Sequence, residues 1–315
     1  LVRQLAAEAD VVVENFRPGT LDNWGLGWEA LSKLNPRLIM VHISGYGQTG
    51  PYRDKPGFGV IGEAMGGLRY LTGQPGEPSV RVGVSIGDSL SALYAVIGTL
   101  LALQERNRSG LGQEIDVALY ESVFAMMESL LPEFDASGQV REPSGSALPG
   151  ITPSNAYRCQ GGDYVLIAGN GDSIFKRLMG VISRDDLAND PALAHNDGRS
   201  QQAEMIDAAM QSWTEERPRD AILQALDDAR VPAGYPYTAE DIAFDPHYLA
   251  REMIQTFTRP NGKPLKVPGV LPKLSATPGR IGDGGPTLGQ HTDDVLDELG
   301  IDHETRAKLR QAGII

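Results

Sequence analysis

The sequence predicts an α/β protein in which a larger unit, built on a parallel sheet, is followed by a smaller α/β unit. Three observations predict it. From Leu1 to about Asp135 helical and strand-like stretches alternate, the order expected of parallel strands joined by crossover helices. The strand-like stretches VVV and LIMVHI are nearly continuous apolar runs, as strands covered on both faces should be. Finally, DASGQVREPSGSALPG is rich in Gly, Ser and Pro, lacks an apolar period, and is followed by a different order of elements.

In chain order the first unit reads as an opening helix, the strand VVVEN, the loop FRPGT and a short helix around WEALSKL. The strand RLIMVHIS follows, then a loop and an apolar segment ending in YLTG. The clearest helix of the chain is SIGDSLSALYAVIGTLLALQERNRSG. Leu90, Leu93, Tyr94, Ile97, Leu100 and Leu101 recur there at helical spacing, Arg106 and Arg108 occupy the last turn, and Gly110 can end it. EIDVALYESVF begins as a strand and shades into a helix. Beyond the Gly/Ser/Pro stretch, NAYRCQGGDYVLIAG reads as a hairpin turning at Gly161-Gly162, with helices and VPAGYPYTAEDI after it. The last segment carries strand-like KPLKVPGV, the Gly/Pro-rich SATPGRIGDGGPTLG and a helix from about Thr292. The expected divisions are 1–135, a linker over 136–150, a small unit over 151–253 and a closing segment over 254–315.

Composition narrows the function classes. The chain has 315 residues, 41% hydrophobic and 22% charged, enough to bury a sizeable core. A formal charge of −13 argues against a nucleic-acid partner, so an anionic ligand must be met by a local group of cations. The single cysteine, Cys159, excludes a disulfide framework and fits a reducing, cytoplasmic setting; a packed residue beside a turn is its simplest role. No uninterrupted apolar run reaches the roughly 18 residues of a membrane span, and no membrane partner is expected. The chain opens without an initiator Met inside an apparent helix, and residue 1 is therefore expected to lie within a domain.

Ligands of open parallel sheets gather beyond the carboxyl ends of the strands, which directs attention to NFRPG and SGYGQTGP. Gly45, Gly47 and Gly50 fit the spacing G-x-G-x-x-G, yet the loop runs into Pro51 and the polar PYRDKPG instead of opening a helix. The residue twenty positions after Gly50, where an acid should bind ribose, is Tyr70. A nicotinamide-dependent oxidoreductase therefore has little support. Neither G-x-S-x-G nor G-x-x-x-x-G-K-[ST] occurs. His42, His195, His247, His291 and His303 are scattered without metal-ligand spacing, so no metal site is expected. His291, ahead of Thr292 as an N-cap, reads as part of a turn. Asp88 stands at the head of the long helix, where its carboxylate can cap free N–H groups or serve as a nucleophile held ionised by the helix terminus. Position alone leaves both roles open. Arg17 is equally open between phosphate contact and a solvated loop side chain.

Taken together, NFRPG followed by SGYGQTGP, SIGD heading a helix that ends in SGLGQ, and the terminal LGQHTDDVL resemble the family III CoA-transferases, the CaiB/BaiF family. The resemblance spans essentially the whole chain. It implies a large Rossmann-like domain, a small domain and a closing segment that returns to the large one, in a homodimer whose chains interlock like rings. Family members usually begin with a strand, a CoA-contacting turn and a βα stretch absent here, so the N-terminal part of the large domain is expected to be missing.

The resemblance also implies that Asp88 is the nucleophile: it attacks a donor thioester, CoA thiolate returns to the aspartyl carbonyl, and an acceptor carboxylate reverses the sequence. Asn15 and Phe16 match the family's CoA-contacting pair, with Arg17 a phosphate neighbour and Lys55 and Phe58 completing the expected contacts. Gly145 to Gly150 lies where some members carry a mobile glycine-rich lid. Phe58-Gly59 departs from relatives that have an aromatic residue followed by an acid. CoA and acyl-CoA enter as substrates, with no permanently bound cofactor, and short dicarboxylates such as succinate, glutarate or oxalate are the expected acids. The alternatives are an α-methylacyl-CoA racemase, whose relatives place a histidine where Phe58 stands, and an inactive CoA-binding fragment.

Overall fold

The computed structural model describes residues 1–315 except 260 and 283, the latter within the Gly/Pro-rich stretch near the C-terminus. The chain divides into two compact units, Leu1–Pro149 and Gly150–Ile315.

The first unit holds α1 (Val2–Glu8), β1 (Val11–Glu14), α2 (Thr20–Asn23), α3 (Trp28–Leu34), β2 (Ile39–Ser44), α4 (Gly59–Met65) and α5 (Leu68–Leu71). It continues with α6 (Ile86–Ser109), β3 (Glu114–Ala118), α7 (Leu119–Phe124) and α8 (Leu130–Ser137). Strands β1, β2 and β3 form a parallel sheet in that order, with Glu14 opposite His42 and His42 opposite Asp116. The central strand is apolar nearly throughout because both its faces are covered. Ile39 and Val41 pack with Ala95 and Ala102 of α6 and Val117 of β3, while Leu38 and Met40 pack with Ala6 of α1 and Leu31 of α3.

Helix α6 departs from the expected arrangement in two ways. Its regular start is Ile86, so Asp88 lies inside the first turn, and neither Asp88 nor the N-cap Ser85 makes a side-chain capping bond there. Most of its apolar stripe, Tyr94 excepted, also does not face the sheet. Gly87, Ser91, Ala95 and Ala102 are the buried positions, whereas Leu93, Ile97, Leu100 and Leu101 are exposed. Small residues let the helix approach closely enough for Ala95 and Ala102 to touch β2 and β3, with Tyr94 and Leu103 packed beside them, while Leu93, Ile97, Leu100 and Leu101 point away. Arg106, in the last turn as expected, is buried and reaches the Arg37 carbonyl at 3.0 Å and Asp10 at 2.8 Å, locking the helix to the strand entrances. Gly110 does end the helix, at φ 78. Counting uninterrupted apolar residues also understated this helix. Among the described residues it is the one helix long and apolar enough, by length and composition only, to cross a membrane.

The expected linker is held down over much of its length. Helix α8 runs to Ser137, Arg141 pairs with Glu133, Tyr70 donates to Glu142 at 2.7 Å, and the Gly145 N–H bonds the Gly73 carbonyl at 3.0 Å.

In the second unit β4 (Ser154–Arg158) and β5 (Tyr164–Ala168) form the hairpin, with Gly161 and Gly162 at φ 91 and 97, and β6 (Ala233–Gly234) pairs antiparallel to β5. Around this sheet run α9 (Asp172–Val181), α10 (Asp185–Ala188), α11 (Asn196–Gln201), α12 (Ala203–Glu215) and α13 (Arg219–Asp228). Ile206 and Met210 of α12 and Ile222 and Leu226 of α13 repeat every four residues and fill one core with Val165, Ile167, Phe175 and Leu178. Cys159 is buried in this core beside the turn, and burial pushes its thiol pKa up. Arg199, which no sequence signal distinguished, is fully buried and spans the Thr152, Leu193 and Asn170 carbonyls and the Asp172 carboxylate.

Helices α14 (Ala239–Phe244) and α15 (Pro246–Ala250) lead to a hairpin of β7 (Ile254–Thr258) and β8 (Pro264–Pro268). The chain ends in α16 (Thr292–Glu298) and α17 (His303–Gln311). His291, not Thr292, occupies the N-cap of α16, and its ring lies 3.5 Å from Asp294.

Candidate active site

At the carboxyl ends of the parallel strands the first unit carries a cavity of about 290 Å³. Asn15, Phe16, Arg17, Lys55, Phe58 and Asp88, distant in sequence, all line it. Gly145 does not, its N–H being bonded to the Gly73 carbonyl; Gly150 belongs to the second unit, where its carbonyl accepts from Asn196.

Two loops, the end of β2 and the starts of α4, α6 and α7 build the cavity. The turn after β1 brings Asn15, Phe16 and Arg17, and Phe16 is braced edge-on by Trp24 with ring centroids 5.3 Å apart. The loop after β2 brings Gly45, then Arg53, Lys55 and Gly57. SGYGQTGP is thus a packing loop as well as a cavity wall. A Cβ on Gly45 would stand 2.8 Å from the Gly57 Cα, so the two backbone segments can touch only as glycines. Gly47 and Gly50, at φ 88 and 84, make the bends between them. The loop is further tied by its own N–H groups, from Gly47 to the Ser44 hydroxyl at 3.0 Å and from Gln48 to the Asp116 carboxylate at 2.8 Å.

Asp88 enters from the first turn of α6, where the unpaired N–H groups of a long helix favour a negative charge. Gly59, the first residue of α4, lies against its carboxylate. A methyl group built on Gly59 would stand 2.9 Å from the Asp88 carboxyl carbon and closer still to Oδ2. Phe58, the N-cap of α4, is largely exposed beside the opening. The Lys55 ammonium rests 3.5 Å from the centre of the Tyr52 ring. Arg17, Arg53 and Lys55 together give the cavity the local positive charge that a chain of net charge −13 must supply to hold an anion.

Sequence reasoning missed Arg53, although it sits in the polar PYRDKPG stretch. It also missed His42, which is buried between the Glu14 carboxylate of β1 and Glu114 of β3, the latter 2.9 Å from Nε2. Among the described residues, no group of three or more His, Cys, Asp or Glu side chains is arranged to hold a metal ion. Chemically the cavity offers one carboxylate at a helix start, three cationic side chains and apolar walls. These suit an anionic ligand whose reactive carbon is presented to Asp88.

Comparison with known proteins shows the family. The family model for CoA-transferase family III matches residues 1–292. The chain is 46% identical over 316 residues to the succinyl-CoA–D-citramalate CoA-transferase of Chloroflexus aurantiacus, spanning 100% of this chain and 79% of that one. It is 40% identical to the beta subunit of the succinyl-CoA–L-malate CoA-transferase of the same organism, over 99% of this chain and 78% of the relative. The crystal structure of a CaiB/BaiF family protein from Brucella suis superposes with a TM-score of 0.81 at 34% identity, covering 95% of this chain and 77% of that one. The chain belongs to the family III CoA-transferases, and its mixed α/β fold with a parallel sheet is theirs.

Proposed function

We propose that the protein moves CoA from a short dicarboxylyl-CoA, with succinyl-CoA the first donor to test, to a second short dicarboxylate through covalent intermediates on Asp88. The observation that carries this reading is the placement of the Asp88 carboxylate in one cavity with Asn15, Phe16, Arg17 and Lys55. The acids are suggested by the names of the relatives, which act between succinyl-CoA and D-citramalate or L-malate.

The chemistry balances without an external reagent. The Asp88 carboxylate adds to the donor thioester carbonyl and expels CoA thiolate, leaving a mixed anhydride. The thiolate attacks the aspartyl carbonyl of that anhydride and releases the donor acid, which leaves CoA as a thioester on Asp88. The acceptor carboxylate then displaces the thiolate, forming a second mixed anhydride. Thiolate attack on the acceptor's acyl carbon yields the new acyl-CoA and returns the carboxylate. Dividing one exchange into four acyl transfers lowers each barrier, and holding the thiolate beside the anhydride makes its return effectively intramolecular. A panel of acyl-CoA donors against citramalate, malate, glutarate and oxalate, followed by mass spectrometry, tests the assignment. Failure of every dicarboxylate to accept CoA would overturn it.

Racemisation of a 2-methylacyl-CoA requires a second acid/base group across the α-carbon, and Phe58 offers none. The expected result in deuterated water is no deuterium uptake at the α-carbon of a chiral 2-methylacyl-CoA. Uptake at the turnover rate would favour the racemase instead.

The proposal extends to assembly as an interlocked homodimer. It is supported by the exposed stripe Leu93, Val96, Ile97, Leu100 and Leu101 along α6, an apolar face of the kind that a protein partner covers. Sedimentation at nanomolar concentration should give a single dimeric species, and a monomer in reversible equilibrium would argue against interlocking.

A further inference from the structure

The buried histidine at the centre of the sheet is unused by the chemistry above, and its surroundings give it a task. Glu14 ends β1 with its side chain nearly out of water, where a carboxylate without partners is strongly disfavoured. Both its oxygens are engaged. Oε2 accepts the Phe16 N–H at 2.7 Å, and Oε1 meets His42 Nδ1 across the strand pair. On the other side, His42 Nε2 lies 2.9 Å from Glu114 Oε1, within ion-pair range but off the hydrogen-bond direction. Asp116, opposite His42 in register, accepts the Gln48 N–H at 2.8 Å. The two loops that wall the cavity thus hang by backbone N–H groups from carboxylates on either side of one imidazole.

We infer that His42 is a positioning residue, whose imidazolium neutralises Glu14 and Asp116 and so holds the Asn15–Pro18 turn and the Gly45–Gln48 turn in the geometry that receives CoA. The inference rests on the assignment of the cavity to CoA.

The charged groups facing His42 are Glu14 from β1 and Glu114 and Asp116 from β3. Helices α1 and α3, which cover this face of the sheet, present Ala6 and Leu31 to it, and among the described residues neither helix pairs a charge with the ring. Burial alone lowers the His42 pKa, but the hydrogen bond and charge of Glu14, with the charges of Glu114 and Asp116, outweigh it and raise the pKa above the ordinary 6.5. The sign follows from that direction. A raised folded-state pKa means that the ion pair contributes fully below the unfolded value and is lost as pH climbs through the folded one, provided the carboxylates remain ionised. Deprotonation leaves Glu14 buried without a counter-charge, which loosens its hold on Phe16.

The test is calorimetric titration with coenzyme A itself, from about pH 6 to about pH 9, on the unaltered chain and on His42→Gln. The ligand's own ionisations are common to both proteins, so their difference reads the protein. For the unaltered chain Kd should rise on the alkaline side, in step with the His42 imidazole resonances in NMR. For His42→Gln it should be raised about tenfold at neutral pH and lack that step, with kcat at saturating substrate changed by less than about threefold. Glu14→Gln keeps an acceptor for Phe16 while removing the buried charge. It should bind near normally at neutral pH, and in the double variant it should recover most of the loss. Should His42→Gln fail to fold, Glu14→Gln carries the test: its alkaline step must be smaller than that of the unaltered chain. Unchanged Kd and pH dependence in either single variant, or His42 titrating with no change in Kd, would overturn the inference while leaving the cavity assigned to CoA. Absence of CoA binding by the unaltered chain would overturn that assignment too.

Discussion

Asp88→Asn is expected to lose CoA transfer by a thousandfold or more, which corresponds to about 4 kcal/mol or more of transition-state stabilisation. The amide has the carboxylate's size but cannot add to a thioester and leave as an acid. The cost to folding should be small. Asp88 makes no capping bond and is exposed, so what is lost is its charge interaction with the start of α6, on the order of 1 kcal/mol or less. This divergence between activity and stability separates a nucleophile from a helix-stabilising acid. Hydroxylamine or borohydride trapping during exposure to succinyl-CoA, followed by peptide mass spectrometry, should place the modification on Asp88 in the unaltered protein and nowhere in the variant. A folded Asp88→Asn protein that still exchanges CoA at a near-normal rate would end the proposed mechanism.

The elements most legible in the sequence were those whose environment leaves one solution. VVV and LIMVHI are strands as expected, and Gly161-Gly162 between alternating residues turns a hairpin, but only the central LIMVHI is covered on both faces; Val13 of β1 is exposed. The position of α6 was legible but not its orientation, because periodicity locates an apolar stripe without saying what covers it. Here the sheet takes Ala95 and Ala102, and the leucines face outward. Motif likeness picked out Asn15, Phe16, Arg17, Lys55, Phe58 and Asp88, and the fold draws these into one cavity. Gly145 is not among its lining residues, its N–H being bonded to the Gly73 carbonyl. Glu14, His42 and Asp116 were illegible for a different reason. They are remote in sequence and become neighbours only through the register of three strands, which no local pattern encodes.

Gly59→Ala is expected to separate stability from activity in the opposite direction to an ordinary core mutation. The residue is helical and not at positive φ, so alanine is compatible with its backbone and improves helix propensity by up to about 1 kcal/mol. Its Cβ, however, would overlap the Asp88 carboxylate, standing 2.9 Å from Cγ. Because Asp88 is exposed, the overlap is relieved by rotating the carboxylate away, at little cost to the fold. A nucleophile displaced by about 1 Å from its line of attack loses on the order of a hundredfold in rate. Gly59→Ala should therefore unfold no earlier than the parent in urea, bind CoA with similar affinity and lose about a hundredfold in kcat. Activity within a few fold of the parent would mean that the carboxylate does not need the place Gly59 leaves for it, and that the reactive geometry of Asp88 lies elsewhere in the cavity.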